Sequence, residues 1–192
     1  MMRMAFQWMK LRAMSLLVLG RNDAALEVFN QMAARWPDDP YALASRAHLL
    51  TQKQQIDAAL RDSTRLVLLR PDHAPTWFNH GFMLESAGHL EDALHAFQRA
   101  TTLDEQLDRA WYGQGMVLIR LRRYDDAVLA LKRNTELQPM SPYGWYQLAR
   151  VHMDRHEPDE AVKIIKHLKG FEPKIAAQLE RETGLLIGSP SS

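Results

Sequence analysis

The sequence predicts an all-α fold, an α-solenoid of stacked antiparallel helix pairs. Three observations predict it. Residues of alternating size recur every 34 positions with no insertion between copies. Trp77, Gly81, Leu84, Ala93 and Phe97 become Trp111, Gly115, Leu118, Ala127 and Leu131, then Trp145, Ala149, His152, Ala161 and Ile165. Proline occupies one fixed place near the end of four copies out of five. Small residues hold two other fixed places in every copy. A constant period of this length marks one helical unit repeated along the chain.

Extending the register gives copies at 6–39, 40–73, 74–107, 108–141 and 142–175. Each copy predicts a helix A over about its positions 1–14 and a helix B over about 18–31. Position 8 is Ala13, Ala47, Gly81, Gly115 and Ala149, and position 20 is alanine throughout. These are places where two helices approach too closely for a larger side chain. Position 4 is large, as Met9, Leu43, Trp77, Trp111 and Trp145, and fills the space beside the contact.

The punctuation agrees with this division. Pro37, Pro71, Pro139 and Pro173 stop helix B, because proline cannot continue a helix. Glu105 takes that place in the third copy, which predicts a looser turn there. Gly20 and Gly88 fall at position 15, where the chain must turn sharply between helices. Carboxylates open each B helix, as at Asp23, Asp57, Glu91, Asp125 and Asp159. They are expected to cap free N–H groups and to complement the helix dipole, not to act as catalytic pairs. Ala176 to Ser192 reads as a terminal cap, with a helix over about 174–187 and a disordered tail at 188–192. No long linker interrupts the pattern, so residues 1–192 are expected to form one domain.

Composition excludes several functions. The 24 basic and 23 acidic residues nearly cancel, so no bulk charge draws the chain to nucleic acid or an anionic membrane. There is no cysteine, hence no disulfide, thiolate metal site or cysteine nucleophile. The longest early apolar run, Met14 to Leu19, is far short of the roughly 20 residues of a membrane span. It also lacks the features of a signal peptide, so membrane insertion is not expected and a cytoplasmic location is. No phosphate-binding glycine loop, nucleophile elbow or HExxH is present. His152 and His156 are four residues apart, but no third ligand accompanies them. No catalytic residue, metal or cofactor is expected.

The pattern W-x2-L-G-x2-Y, then A-x3-F, then P, at a spacing of 34 resembles the tetratricopeptide repeat (TPR) family. The fourth copy carries it most fully, with Trp111, Gly115, Leu118, Tyr124, Ala127 and Pro139. Copies one, two and five are more degenerate but keep positions 8, 20 and 32, and the resemblance spans residues 6–175. It implies a right-handed superhelix whose A helices line a concave groove and whose B helices form the convex back. It also implies that positions 2, 5, 6, 9, 12 and 13 face the groove.

Read at those positions, the groove gains Tyr41 and His48 from the second copy and Phe78, Asn79 and Phe82 from the third. The fourth adds Arg109, Tyr112, Met116 and Arg120, and the fifth Tyr143, Tyr146, Gln147 and Arg150. Aromatic and arginine side chains are frequent binding anchors, and arginine forks suit carboxylates. The family's carboxylate clamp is matched only at Asn79 and Arg109; Ala44, His48 and Gly113 stand where its other groups should be. The expected role is a non-catalytic scaffold or adaptor, chaperone-like in complex assembly, holding a peptide with apolar anchors and some acidic residues. The alternative is a regulatory subunit or fragment of a larger enzyme. Nucleic-acid binding is not expected, since the groove cations are few. Met4, Phe6, Leu11 and Met14 form an apolar edge at the first helix, expected to mediate partner docking or homo-oligomerisation.

Overall fold

A computed structural model describes residues 2–185. Among them are eleven helices and no strand. The chain divides into two compact units, Met1–His89 and Leu90–Ser192. The first holds α1 (Met2–Val18), α2 (Asn22–Arg35), α3 (Pro40–Gln52), α4 (Ile56–Leu69) and α5 (Ala74–Ser86). The second holds α6 (Leu90–Leu103), α7 (Asp108–Arg120), α8 (Tyr124–Leu137), α9 (Pro142–Asp154), α10 (Pro158–Lys169) and α11 (Pro173–Thr183). Odd-numbered helices through α9 are the A helices. From the second copy on they occupy the first thirteen positions, within a residue of the sequence expectation. The fold is an all-α helical-repeat solenoid.

The predicted close approaches are real. In the first unit Ala13, Ala25, Ala47 and Ala59 are wholly buried; in the second, so are Ala127, Ala149 and Ala161. A methyl added to Gly115 would lie 2.7 Å from Leu131 Cγ, and one on Gly113 would lie 2.7 Å from Phe97 Cζ. Both are far inside van der Waals contact, so only glycine fits without displacing a core side chain.

The position-4 tryptophans do more than fill space. Each indole Nε1–H donates to the backbone carbonyl six residues earlier: Trp77 to Pro71 (2.8 Å), Trp111 to Glu105 (3.0 Å) and Trp145 to Pro139 (2.9 Å). The accepting residue is always position 32 of the preceding copy. The bond needs a carbonyl, not a proline ring. The Glu105 turn therefore keeps the same tie as its neighbours, and the looser turn expected from the missing proline is not seen. These indoles stay half-buried, with one edge held by the turn.

All five turns from helix A to helix B within a copy place position 15 in the left-handed region. Gly20 and Gly88 have φ of 68° and 83°, as their identity suggests; Gln54, Arg122 and His156 adopt φ of 60°, 58° and 61°. The backbone demand is set by helix packing and overrides side-chain preference.

The opening carboxylates need a correction. The residues preceding α2, α4, α8 and α10 are Arg21, Gln55, Arg123 and Glu157, and none makes a side-chain capping bond. Asp23, Asp57, Asp125 and Asp159 lie inside the first turn, where they complement the dipole, and Asp23 and Asp125 also pair with Lys53 and Arg155. A true cap occurs at α3, where Asp39 Oδ1 accepts from the Ala42 N–H at 2.8 Å. At α5 the same place is held by His73, which makes no such bond.

The terminal helix is also shorter than expected. α11 ends at Thr183 and not near 187, because Gly184 takes φ +72° and leaves the helix. Leu186 and the expected tail at 188–192 lie outside the described residues.

The turns lead to two stability predictions. Arg122→Gly should relieve a left-handed side chain and raise the unfolding free energy by up to about 1 kcal/mol, read from urea denaturation midpoints. His73 sits at the positive end of α5, and burial, followed by the Arg70 charge, holds its pKa below the ordinary histidine value. A depressed folded-state pKa means the unfolded chain takes up the proton first. The stability His73 supports is complete above the ordinary histidine pKa and is lost as pH falls below it. His73→Asn should stabilise by about 0.5–1 kcal/mol at pH 7 as a better cap, and by more at pH 5. Equal gains at both pH values would contradict this account.

Candidate peptide-binding site

In the first unit, α3, α4 and α5 enclose a cleft of about 200 Å³. Its existence traces to one small residue. Position 5 is Lys10, Phe78, Tyr112 or Tyr146 in the other A helices, but Ala44 in α3. The space this leaves is walled by His48 and Thr51 from α3 and by Asn79 and Phe82 from α5. Three of the residues expected from sequence, His48, Asn79 and Phe82, are thus brought together. Phe82 is 49% exposed, a large cost for an aromatic ring left unused.

Two further residues, Arg70 and His73, complete the lining and were missed by sequence reasoning. They belong to the turn between α4 and α5, not to groove positions of an A helix. The only available signal was a basic residue at each end of a short turn. Arg70 is the cleft's permanent charge. His73 Nδ1 lies 2.8 Å from Thr76 Oγ1, and with its depressed pKa the ring is neutral at pH 7. His48 Nε2 lies 3.0 Å from Gln52 Nε2, so this imidazole too is oriented along the wall. The deepest wall is fixed by a buried pair, Ser63 Oγ and His80 Nδ1, 2.9 Å apart.

Tyr41 lies elsewhere. Its ring packs edge-on against Phe29 with centroids 5.9 Å apart, and Lys10 Nζ stands 4.3 Å over it. It is part of the first core cluster rather than an open anchor. Phe78 is half-buried on the same helix as Phe82.

In the second unit, Arg109 and Arg120 on α7 and Arg150 on α9 are exposed, as is Tyr143. Tyr112, Met116 and Gln147 are half-buried. Tyr146 is engaged by the terminal helix. Its hydroxyl oxygen accepts from Gln178 Nε2 at 3.5 Å, and the hydroxyl donates to Glu182 Oε2 at 2.6 Å. That bond pushes the Tyr146 phenol up and holds the Glu182 carboxyl below its usual range. Arg150 stacks 5.7 Å over the Tyr146 ring. The α11 helix thus occupies the inner face of α9. A different hollow of about 670 Å³ lies in this unit between the B helices α6 and α8.

The first helix departs from expectation at one residue. Met4, Leu11 and Met14 are exposed, but Phe6 turns inward and meets Trp36 edge-on at 5.1 Å. Phe6 is core, not edge. Trp8 and Val18 take its place on the open face.

No group of three or more His, Asp or Glu among the described residues could hold a metal ion. His152 is buried, with Nδ1 2.7 Å from Glu157 Oε2, while His156 sits in the left-handed turn. Among the described residues no helix is long and apolar enough to cross a membrane.

Comparison with known proteins agrees with the repeat architecture. Two family models, each described as tetratricopeptide repeat, match the chain: one over residues 48–112, the other over 10–74 and 84–142. No curated protein is similar to it by sequence. Among solved structures it is similar to MamA (41-end) from Desulfovibrio magneticus RS-1, with a TM-score of 0.79 and 18% identity over 92% of this chain and 96% of that one. YrrB, described as a TPR protein with an unusual peptide-binding site, gives a TM-score of 0.75 at 17% identity over 88% of each chain. A thermophilic TPR protein from Thermus thermophilus, TTC0263, gives 0.65 at 22% identity over 94% of this chain and 100% of that one. At these identities the likeness is one of fold. Arrays of this fold serve in general as scaffolds for protein–protein interaction. With 34-residue helix pairs, the Trp–carbonyl tie repeated at three turns and family models matching more than half its length, the chain belongs to the tetratricopeptide repeat family.

Proposed function

We propose that this protein is a non-catalytic adaptor that holds an extended peptide of a partner protein in the cleft between α3 and α5. The observation that carries the reading is the grouping of Phe82, Asn79, His48 and Arg70 around the space opened by Ala44. Each group has a task there. An apolar peptide side chain enters over Ala44 and against the Phe82 ring, removing both from water. The Asn79 amide, with one donor pair and one acceptor, pairs with a peptide unit of the bound backbone. Arg70 meets a carboxylate. Neutral His73 leaves Arg70 as the charge that selects acidic over basic segments.

In the second unit, Arg109, Arg120 and Arg150 would extend the preference for acidic partners, with Met116 and Tyr143 as apolar contacts and Gln147 as a backbone partner. A scaffold of this kind assembles complexes by holding one chain in a fixed conformation. The peptide site named for YrrB is compatible with a peptide ligand on this fold.

Peptides selected from a displayed random library against the intact protein should be enriched in an aliphatic or aromatic residue near Asp or Glu. Calorimetry of such a peptide should show affinity falling about 10–100-fold for Phe82→Ala with Asn79→Ala. Arg70→Glu should reverse the preference for acidic sequences. Circular dichroism should be unchanged in both variants, since all three residues are surface groups. Undiminished binding to the folded double variant would sink the cleft and leave the hollow between α6 and α8 as the next site to probe.

A further inference from the structure

The outer face of α1 is built for a helix, and it differs from the corresponding face of every other A helix. Met4, Trp8, Leu11, Ser15 and Val18 are spaced four, three, four and three residues apart. That is a seven-residue alternation, which keeps one seam turned toward a partner helix. Met4, Trp8, Leu11 and Val18 are 71%, 63%, 63% and 87% exposed. The opposite face, with Phe6, Met9, Leu16 and Leu17, packs into the core. A helix with apolar stripes on two opposite faces belongs between other helices.

Register shows that this face departs from the repeat. Val18 is at position 13, where the later copies carry Gln52, Ser86, Arg120 and Asp154. Leu11 is at position 6, where they carry Ser45, Asn79, Gly113 and Gln147. The first copy alone is apolar at both.

The sizes are also inverted. Position 3 is small and buried in Ala42, Thr76, Ala110 and Gly144, and a methyl on Gly144 would overlap the Asn134 side-chain oxygen of the preceding B helix. Position 10 is large and buried in Leu49, Met83, Val117 and Val151. In α1 position 3 is Trp8 and position 10 is Ser15. An indole at position 3 excludes a repeat stacked in the interior register. Whatever covers α1 straddles Trp8 and fills the space over Ser15.

Charge narrows the occupant. The seam is flanked by Arg3 and Lys10 on one side and Arg12 on the other, and the first acidic residue of the chain is Asp23. Arg12 stands 5.7 Å over the ring of the seam residue Trp8, whereas Lys10 stands over Tyr41 of α3. A second copy of α1 would set cations against cations. We infer that the α1 seam docks a single amphipathic helix from another protein, with seven-residue apolar spacing and acidic flanks. This is helix-in-groove recognition, and it uses a surface separate from the α3–α5 cleft.

Two labelled synthetic peptides of about three heptads test it, both with Leu and Ile on the seam, one with Glu and one with Lys flanks. Fluorescence anisotropy with the intact protein should show binding of the Glu peptide and none of the Lys peptide. Leu11→Asp should weaken binding by at least about tenfold, whereas Phe82→Ala, in the cleft, should leave it unchanged. Arg3→Glu with Arg12→Glu should transfer binding to the Lys peptide. The variants alter exposed side chains, and circular dichroism checks their fold. No binding of either peptide, or equal binding by Leu11→Asp, overturns the proposal. So does a Leu11-dependent dimer in sedimentation velocity, or Leu11-dependent co-sedimentation with phosphatidylserine–phosphatidylcholine vesicles, since each assigns the seam to a different occupant.

Discussion

Close approach of helix A to helix B at positions 8 and 20 is the constraint on which the other features depend. With methyl or hydrogen at both places, the two backbones come together and bury apolar surface along their whole length. That spacing leaves a gap at the wider end of each pair, and position 4 fills it. In the last three copies an indole does so, and its Nε1–H then reaches the carbonyl of the preceding turn. The same spacing makes the chain reverse in a few residues, which is why position 15 is left-handed even where it is Gln, Arg or His. One steric requirement thus sets the helix pair, the turn between copies and the turn within each copy.

Scaffold residues were legible in the sequence because steric exclusion leaves a strong trace. A position that tolerates only Ala or Gly is recognisable in five successive copies, and in copies two to four every helix end fell within a residue of the expectation. Polar detail left a weaker trace. The Trp111–Glu105 bond runs to a backbone carbonyl, which every residue type supplies, so the loss of proline there changed the sequence signal without changing the interaction. Arg70 and His73 could not be placed in the cleft from spacing, because turn residues have no helical face. Phe6 and Trp8 show the same limit. Both are large and apolar and two residues apart, and the register alone did not say that Phe6 would meet Trp36 while Trp8 faced outward.

Function in a repeat array resides in departures from the repeat, and the two surfaces proposed here arise from opposite departures. The α3–α5 cleft exists because Ala44 is smaller than its counterparts, so a space opens and polar groups gather around it. The α1 seam exists because Trp8 is larger than its counterparts, so the interior way of covering that helix is closed.

The contrast between α1 and α11 illustrates why the second departure matters energetically. Beyond α10 in its own unit, α11 buries Ala176 and Leu179 and turns Arg181 and Glu182 to water. A helix with one apolar face buried and one polar face exposed needs no further cover. The outer face of α1 has no comparable polar cover. Apolar surface exposed along four helical turns is unfavourable in the isolated protein and favourable on association, at roughly 25 cal/mol for each Å² removed from water. Its arginines and lysine add little to that term, because rim charges are screened, but they decide which helix can approach. On such a surface the seam supplies affinity and the basic rim supplies selectivity. Changing Leu11 therefore tests whether a helix binds, and reversing Arg3 and Arg12 tests which one.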